Sequence, residues 1–218
     1  LSAALMAPIL IGIAAWTSHI NAKQRELERL AENPAYPGVM VRLPNFPSAP
    51  TDIPFIPSAL QAKKDLPSTY ASRCHQMPRA AEVLSCSFGP EQATYTIALV
   101  GGSHSAHWLP ALQRLAEENG IRVVNYTKSA CRFIDGKRGH PSCEVWNNGV
   151  IDALEQLKPD LVFTTATIGR GEKEEVPLGY IKQWAKLAPM GIEVMALRDN
   201  PRPDFDVPAC VEQHGNNS

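Results

Sequence analysis

The chain has 218 residues, 44% of them hydrophobic, and its 21 basic and 22 acidic residues leave a net charge of −1. This length can bury one main core and still leave room for appendages. The balanced charge, with no basic stripe, excludes a typical nucleic-acid-binding surface, so we expect no nucleic-acid partner.

Residues 1–32 open with an uncharged apolar run and continue as polar helical sequence. A complete membrane span needs about 20 apolar residues, and this run is shorter. We interpret residues 1–32 as a truncated transmembrane helix with a polar helical extension. An uncleaved signal peptide and a buried helix of a soluble protein are the alternatives.

Residues 33–69 are rich in proline, with eight of the chain's nineteen prolines between Asn33 and Pro67. Proline restricts the backbone and removes a hydrogen-bond donor. We therefore predict an extended, semi-rigid linker here rather than a folded unit.

From residue 70 onward, apolar runs alternate with amphipathic segments. The pattern predicts strands over 94–100, 121–126, 160–166 and 191–198, and helices over 106–119, 145–158 and 177–187. A long loop is expected over 127–144. This alternation predicts an α/β fold with three α/β/α layers and a mostly parallel, doubly wound sheet covered by helices on both faces. The helical spacing predicts inward-facing side chains at Trp108, Leu112, Leu115, Ala116, Ile181, Trp184 and Leu187.

Gly101, Gly102 and Ser103 lie where the first predicted strand meets its helix. This order places a hydroxyl on a sharp turn at the carboxyl end of a strand, where open α/β sheets bind their ligands. Ser103 is therefore a candidate nucleophile. Helix capping by the serine and phosphate binding by a glycine-rich turn are the alternatives.

The five cysteines fall into two short-range pairs and one remainder. Cys74 with Cys86 and Cys131 with Cys143 each bracket a short loop, and both spacings are too wide for a C-x-x-C site. We predict these two disulfides, with Cys210 left for a partner in a further C-terminal segment. Disulfides imply an oxidising compartment, so the domain is expected outside the cytoplasmic membrane. Five buried free thiols in a cytoplasmic domain are the alternative.

The stretch G-G-S-H-S-A-H-W-L-P-A-L (101–112) resembles the first block of SGNH/GDSL hydrolases, G-D-S-H-x-x-H-W-x-P-x-L. This form of the block occurs in the extracytoplasmic domain fused behind membrane-bound acyltransferase 3 proteins. The segments N-Y-T-K-S-A-C-R-F and L-R-D-N-P-R-P-D-F-D-V-P-A-C-V-E-Q-H resemble later parts of the same domain. The resemblance covers residues 70–218, and the apolar N-terminus resembles the last membrane helix of the acyltransferase part.

The resemblance implies an SGNH hydrolase-like, flavodoxin-like fold and an O-acyltransferase or esterase. Ser103 would accept an acyl group delivered by a membrane acyltransferase domain and pass it to a hydroxyl of a cell-surface glycan or glycolipid. It also implies a cell-membrane protein whose SGNH-like domain is extracytoplasmic.

No histidine pair has metal-ligand spacing, so we expect no metal and no cofactor.

The oxyanion that forms during acyl transfer needs hydrogen-bond donors aimed at it. The Ser103 backbone N–H is one expected donor. Gly102, His104, His107 and Thr167 are the other residues expected to form the oxyanion site or to line the substrate. Asp199 follows the last predicted strand and could line the same edge of the sheet, although a turn before Pro201 explains it equally well.

Two departures from the family pattern bear on function. Gly102 stands where the family usually has Asp, and the sequence contains no Asp-x-x-His, the block that supplies the base. We therefore interpret the chain as a piece of a longer protein that lacks its C-terminal block. A non-catalytic glycan-binding module and an unrelated phosphate- or nucleotide-binding α/β domain are the alternative functions.

Overall fold

The computed structural model describes residues 2–31, 33, 35–48, 50, 53, 55–137, 139–170 and 173–215. The helices are α1 (Ser2–Ala31), α2 (Ala59–Ala62), α3 (Ser68–Ala71), α4 (Ser103–Ala106), α5 (Leu109–Asn119), α6 (Ser142–Leu157), α7 (Leu178–Ala185) and α8 (Val207–His214). The strands are β1 (His75–Gln76), β2 (Cys86–Phe88), β3 (Thr96–Gly101), β4 (Arg122–Lys128), β5 (Leu161–Thr165), β6 (Ile168–Arg170), β7 (Lys173–Glu175) and β8 (Glu193–Leu197).

The chain divides into two compact units, one of residues 1–65 with 205–218 and one of residues 66–204. The first unit contains α1, a 3-10 helix over Gly38–Arg42, α2 and α8. Asp206 caps α8 by accepting a hydrogen bond from the Ala209 N–H at 3.1 Å. Its carboxylate also lies 2.6 Å from the Lys63 Nζ. In the described part of the chain, no helix combines the length and the apolar character that a membrane crossing requires.

The second unit is built on a six-stranded sheet with the order β1-β4-β3-β5-β8, in which β2 also pairs with β4. Every pairing along this path is parallel, and only β2 runs antiparallel to its neighbour. The strands β6 and β7 form a separate antiparallel pair. The mostly parallel, doubly wound sheet that the sequence predicts is therefore confirmed.

Helices cover both faces of the sheet. Alternate residues of β3 point to opposite faces, and the apolar residues on each face are buried under helices. Ile97 and Leu99 pack in a cluster with α5, and Ala98 and Val100 pack in a second cluster with α6. The buried helical residues in these two clusters are Leu109, Leu112 and Ala116 of α5 and Trp146, Val150 and Leu154 of α6. The two cores fix β3 in the middle of a three-layer fold.

The helix predicted over 106–119 is interrupted. Helical hydrogen bonding extends from α4 to His107, and α5 starts at Leu109 with Pro110 in its first turn. Proline has no N–H, and its ring would collide with the carbonyl group four residues earlier, so one continuous helix cannot pass through this point.

Two predicted core positions are wrong. Leu115 is 46% exposed and Ile181 is 50% exposed. The buried stripe of α5 follows Leu109, Leu112 and Ala116, which leaves Leu115 at its edge. In α7 the buried positions are Tyr180 and Gln183. The loop expected over 127–144 is shorter, because β4 continues to Lys128 and α6 begins at Ser142.

The structure contains disulfides between Cys74 and Cys86 and between Cys131 and Cys143, the two pairs that the sequence predicts. The first joins the start of β1 to β2, and the second joins the loop after β4 to the first turn of α6. Cys210 is a free, exposed thiol.

Lys128, at the end of β4, is buried with its ammonium group inside the protein. Its Nζ donates hydrogen bonds to the carbonyl oxygens of Met77, Pro78 and Ala80 at 2.7, 2.8 and 2.6 Å. Burial lowers the pKa of this lysine because desolvation disfavours the charged form. The side chain therefore holds the 77–80 segment against the edge of the sheet.

His75 lies on the neighbouring strand and is also buried. Its Nδ1 is 2.7 Å from the Thr127 Oγ1 and its Nε2 is 2.9 Å from the Ser129 Oγ, while its ring stacks on Tyr70 with 4.2 Å between centroids. Desolvation, and secondarily the charge of Lys128, lower the pKa of His75 to about 4. The imidazole is therefore neutral at physiological pH.

Candidate active site

The carboxyl end of β3 is the point at which the sheet changes its direction of winding. The next strand along the chain, β4, lies on one side of β3, and the following strand, β5, lies on the other. The segment that leaves β3 continues into α5 on one face of the sheet, and the segment that leaves the neighbouring β5 leads to α7 on the other face, which opens a crevice between the two strand ends. Open α/β sheets bind ligands at this kind of position.

Gly101 ends β3 with φ +135°, a conformation that side-chain-bearing residues rarely adopt. A Cβ atom placed on Gly101 would lie 2.3 Å from the Ser105 Oγ. Ser105 is fully buried beneath the turn. The close approach of this serine to the backbone makes glycine necessary at the bend.

Ser103 is the first residue of α4, and Gly102 is the N-cap residue. Ser103 is half-buried, and its hydroxyl has no hydrogen-bond partner in the part of the chain that the structure describes. The interpretation of Ser103 as the helix cap is therefore wrong. Its backbone N–H, at the first helical position, has no partner within the helix. The structure thus presents a hydroxyl and an amide donor together at the end of β3.

His104 is held by the carboxylate of Asp199, in the loop that follows the outermost strand β8. The His104 Nδ1 lies 2.6 Å from the Asp199 Oδ1, and Asp199 has only 7% of its side chain exposed. Because a carboxylate only accepts, Nδ1–H is the donor and the neutral imidazole keeps its lone pair on Nε2. The Arg202 Nη2 donates to the Asp199 Oδ2 at 3.1 Å and lies 3.5 Å from the His104 Nε2.

His107 is exposed and is held by the neighbouring residue of the same loop. The Asn200 Nδ2 lies 2.7 Å from the His107 Nδ1, and an amide N–H can only donate. Nδ1 therefore accepts, and the neutral imidazole carries its proton on Nε2. Partial desolvation of the ring by its neighbours lowers the pKa of His107, and the nearby His104 lowers it further, while Asp199 opposes both effects. The rings of His104 and His107 stack with 5.5 Å between centroids.

Thr167 supports the loop that holds these histidines. Its Oγ1 accepts a hydrogen bond from the Asp199 N–H at 2.8 Å and donates to the Glu174 carboxylate. That hydrogen bond, together with Arg198 at 2.6 Å, lowers the pKa of Glu174. The one proton of the Thr167 hydroxyl is thus engaged by Glu174, and the residue positions the Asp199 backbone.

Gly102 lies against the disulfide-bonded loop. A Cβ atom on Gly102 would be 3.0 Å from the Cys131 carbonyl oxygen, closer than almost all contacts of real Cβ atoms. The backbone of Gly102 is extended, with φ −86°, so any residue could adopt its conformation. A side chain at this position is therefore limited by the space beside the Cys131 carbonyl oxygen and not by the backbone conformation.

A cavity of about 430 Å³ opens beside the loop of residues 198–203, which follows β8. Ser103, His104 and His107 are not among the residues that line this cavity. The lining residues are Gly169, Glu174, Arg198, Asp199, Asn200, Pro201, Arg202 and Pro203. Asp199 and Asn200 therefore connect the cavity to the two histidines of the serine turn.

The sequence predicts the serine turn but only some of the residues around it. His104, His107 and Thr167 all lie at this edge of the sheet and share the 198–203 loop as their partner. The sequence places Asp199 at the same edge as one of two interpretations, but it does not single out Asn200 or Arg202. The available signal was that all three follow the end of a parallel strand.

Residues 73–218 match the family described as SGNH domain (fused to AT3 domains). Neither the curated proteins nor the solved structures gave a match. An SGNH domain of this kind suggests an acyltransferase- or esterase-like function and association with a membrane. Because the match spans more than half of the chain and includes the turn of Ser103, the chain belongs to the family of SGNH domains that are fused to AT3 domains.

Proposed function

We propose that this chain carries the acyl-transferring site of a membrane O-acetylase. The Ser103 oxygen attacks the carbonyl carbon of an acyl group delivered by a membrane acyltransferase domain. The bond between the acyl group and its carrier breaks, the carrier leaves with the proton that the hydroxyl loses, and a serine ester forms. A hydroxyl of a cell-surface glycan or glycolipid then takes the acyl group, and water takes it in an esterase reaction.

The position of Ser103 is the observation that carries this proposal. The hydroxyl is half-buried at the end of the central strand, and no described residue engages it in a structural hydrogen bond. The backbone N–H of the same residue supplies a donor for the oxyanion that forms when the hydroxyl attacks a carbonyl carbon. A serine that only stabilises the fold would be expected to use its hydroxyl as a cap or to bury it.

A serine hydroxyl is a weak nucleophile until a base takes its proton. None of the described imidazoles is hydrogen-bonded to Ser103, and the sequence has no Asp-x-x-His. The proposal therefore has to be tested on the gene product in its native membrane fraction, with the purified 218-residue chain measured beside it.

The proposed location of the domain is extracytoplasmic. The Cys131–Cys143 disulfide is buried against the core, and both disulfides close loops of the second unit. Such bonds persist in oxidising compartments and are rare in the cytosol. This location also places Ser103 on the same side of the membrane as a cell-surface acceptor.

A non-catalytic glycan-binding module is the second candidate function. Gly102 supports it, because the family usually has Asp at this position and the Cys131 carbonyl oxygen leaves little space for a side chain here. A domain that has lost this carboxylate could bind glycans without forming an ester.

Labelling with a fluorophosphonate probe separates these two functions. The native membrane fraction should show labelling that the Ser103→Ala variant loses and that the His140→Gln variant keeps. His140 is an exposed residue outside the serine turn and is the matched control. Labelling that is absent, or that persists in Ser103→Ala, would exclude the enzymatic function and leave the binding module.

A further inference from the structure

The two histidines of the serine turn are fixed by consecutive residues of one loop. His104 bonds to Asp199 through Nδ1, and His107 bonds to Asn200 through Nδ1. Each ring therefore turns its Nδ1 edge toward the first residues of the 198–203 loop, and the His104 Nε2 lies 3.5 Å from the Arg202 Nη2 of the same loop. His104 is partly exposed and His107 is exposed, so a ligand can reach both rings from solvent.

The partners of the two rings impose opposite tautomers. The Asp199 carboxylate requires Nδ1–H on His104, which leaves Nε2 as an acceptor. The Asn200 amide requires an unprotonated Nδ1 on His107, which leaves Nε2–H as a donor. An alcohol group is itself both a donor and an acceptor. One hydroxyl can therefore donate to His104 and accept from His107.

The cavity of the same loop is lined by Asp199 and Asn200 but not by the two histidines, and it indicates the charge of a ligand that extends from the histidines along the loop. Its two cationic side chains are already paired, Arg198 with Glu174 at 2.6 Å and Arg202 with Asp199 at 3.1 Å. Among the lining residues that the structure describes, each charged side chain has an oppositely charged partner. A cavity of about 430 Å³ lies within the size range of small-molecule sites. These features favour a neutral, polar ligand.

We propose that His104 and His107 form a donor–acceptor pair that binds a hydroxyl of a neutral, polyhydroxylated acceptor, seated against the 198–203 loop. The naming of this ligand as the acceptor rests on the proposed function. Asp199 and Asn200 are positioning residues in this site, because they fix which nitrogen of each ring carries the proton.

The tautomers are tested first, by long-range ¹H–¹⁵N spectroscopy of the ¹⁵N-histidine-labelled chain carrying Ser103→Ala. The spectra are recorded at a pH where both rings are neutral. The expected result is a proton on Nδ1 of His104 and on Nε2 of His107. The same tautomer at both residues, or the reversed assignment, overturns the proposal.

Ligand binding is tested on the same sample with the methyl glycosides of glucose, galactose and mannose. Tetrahydropyran, which has the ring but no hydroxyl groups, is the control ligand. At least one glycoside should shift the Nε2 resonances of both histidines and leave His140 unchanged. If none of the three does so, or if tetrahydropyran shifts both equally, the proposal is overturned.

The Asn200→Asp variant tests the positioning role. A carboxylate at this position should move the His107 proton to Nδ1 and raise the glycoside Kd about fivefold to tenfold, the equivalent of one hydrogen bond. The Asn148→Asp variant makes the same chemical change on an exposed face of α6 and should leave the Kd unchanged. An unchanged Kd in Asn200→Asp overturns the proposal.

A negative result in these binding measurements can be distinguished from a failure of the proposed acyl transfer. The Ser103→Ala chain cannot form a serine ester, so glycoside binding is observed without chemistry. Binding without Ser103-dependent labelling in the native protein would refute the acyl transfer and retain the hydroxyl site. Labelling without binding would do the reverse.

Discussion

The His104 Nδ1 lies 2.6 Å from the Asp199 Oδ1, although the two residues are 95 positions apart in the chain. The contact joins the turn after β3 to the loop after β8, and the Arg202 guanidinium completes it from the other side of the carboxylate. The helix that begins with Ser103 is thereby fixed to the edge of the sheet.

Replacement of Asp199 by Asn should loosen this connection. The variant keeps the size of the side chain but removes the negative charge of the carboxylate that accepts hydrogen bonds from His104 and Arg202. We therefore expect a loss of about 2 kcal/mol in the free energy of unfolding. Urea denaturation measures the change. Asp152→Asn, on an exposed position of α6, is the matched control and should change stability by less than about 0.5 kcal/mol. Equal stability of the two variants would contradict the assigned contact.

Replacement of Gly101 by Ala should destabilise the serine turn. The new Cβ would lie 2.3 Å from the Ser105 Oγ, and the φ of +135° is unfavourable for alanine. We expect a loss of at least about 2 kcal/mol. In a Ser105→Ala background the collision with the hydroxyl disappears, while the backbone strain and a tight 3.1 Å contact with the Cβ atom of residue 105 remain. The free-energy cost of Gly101→Ala should therefore be smaller in this background. A cost that is identical in both backgrounds would show that the two residues are not in contact.

Replacement of Lys128 by Met should strongly destabilise the second unit. The three carbonyl oxygens of Met77, Pro78 and Ala80 would lose their donor in a buried site. Buried acceptors without partners are costly, and we expect a loss of about 3 kcal/mol by urea denaturation. Lys182→Met, at an exposed position of α7, should be nearly neutral. A Lys128→Met protein as stable as the control would show that the ammonium group is not the link that holds the 77–80 segment.

His75 should make the protein sensitive to acid within a defined window. The pKa of this imidazole is about 4 in the folded chain and about 6.5 when unfolded. Above pH 6.5 both states are neutral. As the pH falls toward 4, only the unfolded state binds the proton, so folding loses stability, on the order of 3 kcal/mol at 1.36 kcal/mol per pKa unit.

The corresponding measurement is the free energy of unfolding between pH 7 and pH 4. His75→Gln removes the titrating group and should flatten the slope in this interval, whereas His140→Gln, at an exposed loop position, should leave it unchanged. An unchanged slope in His75→Gln would assign the acid sensitivity to other groups.

The parts of the fold that depend on local signals could be predicted from the sequence. The run before Val100, the glycine pair and the amphipathic segment after Ser103 define β3, its turn and α5, because each signal lies within a few residues. Leu115 was misplaced because helical spacing alone does not fix the centre of the buried stripe. The short strands β1 and β2 depend on pairing with β4 rather than on their own residues.

The serine site could be predicted only in part, because some of its contacts join residues that are distant in the sequence. Ser103 stands in a local motif. The partnerships of His104 with Asp199 and of His107 with Asn200 depend on which strand ends lie side by side, and the sequence does not state the order of strands in a sheet. The hydrogen bonds of Thr167 likewise depend on β6 and β7, a short pair without a clear alternating pattern.

The central claim is that Ser103 forms an ester with the acyl group. Its most direct test is mass spectrometry of the peptide that contains Ser103, after the native membrane fraction is mixed with p-nitrophenyl acetate and quenched in acid. We predict an acetyl group on Ser103 in the native protein, and no acetylated serine in this peptide of the Ser103→Ala variant. Consumption of the ester by the native protein with Ser103 unmodified, at the same rate as in Ser103→Ala, would contradict the claim.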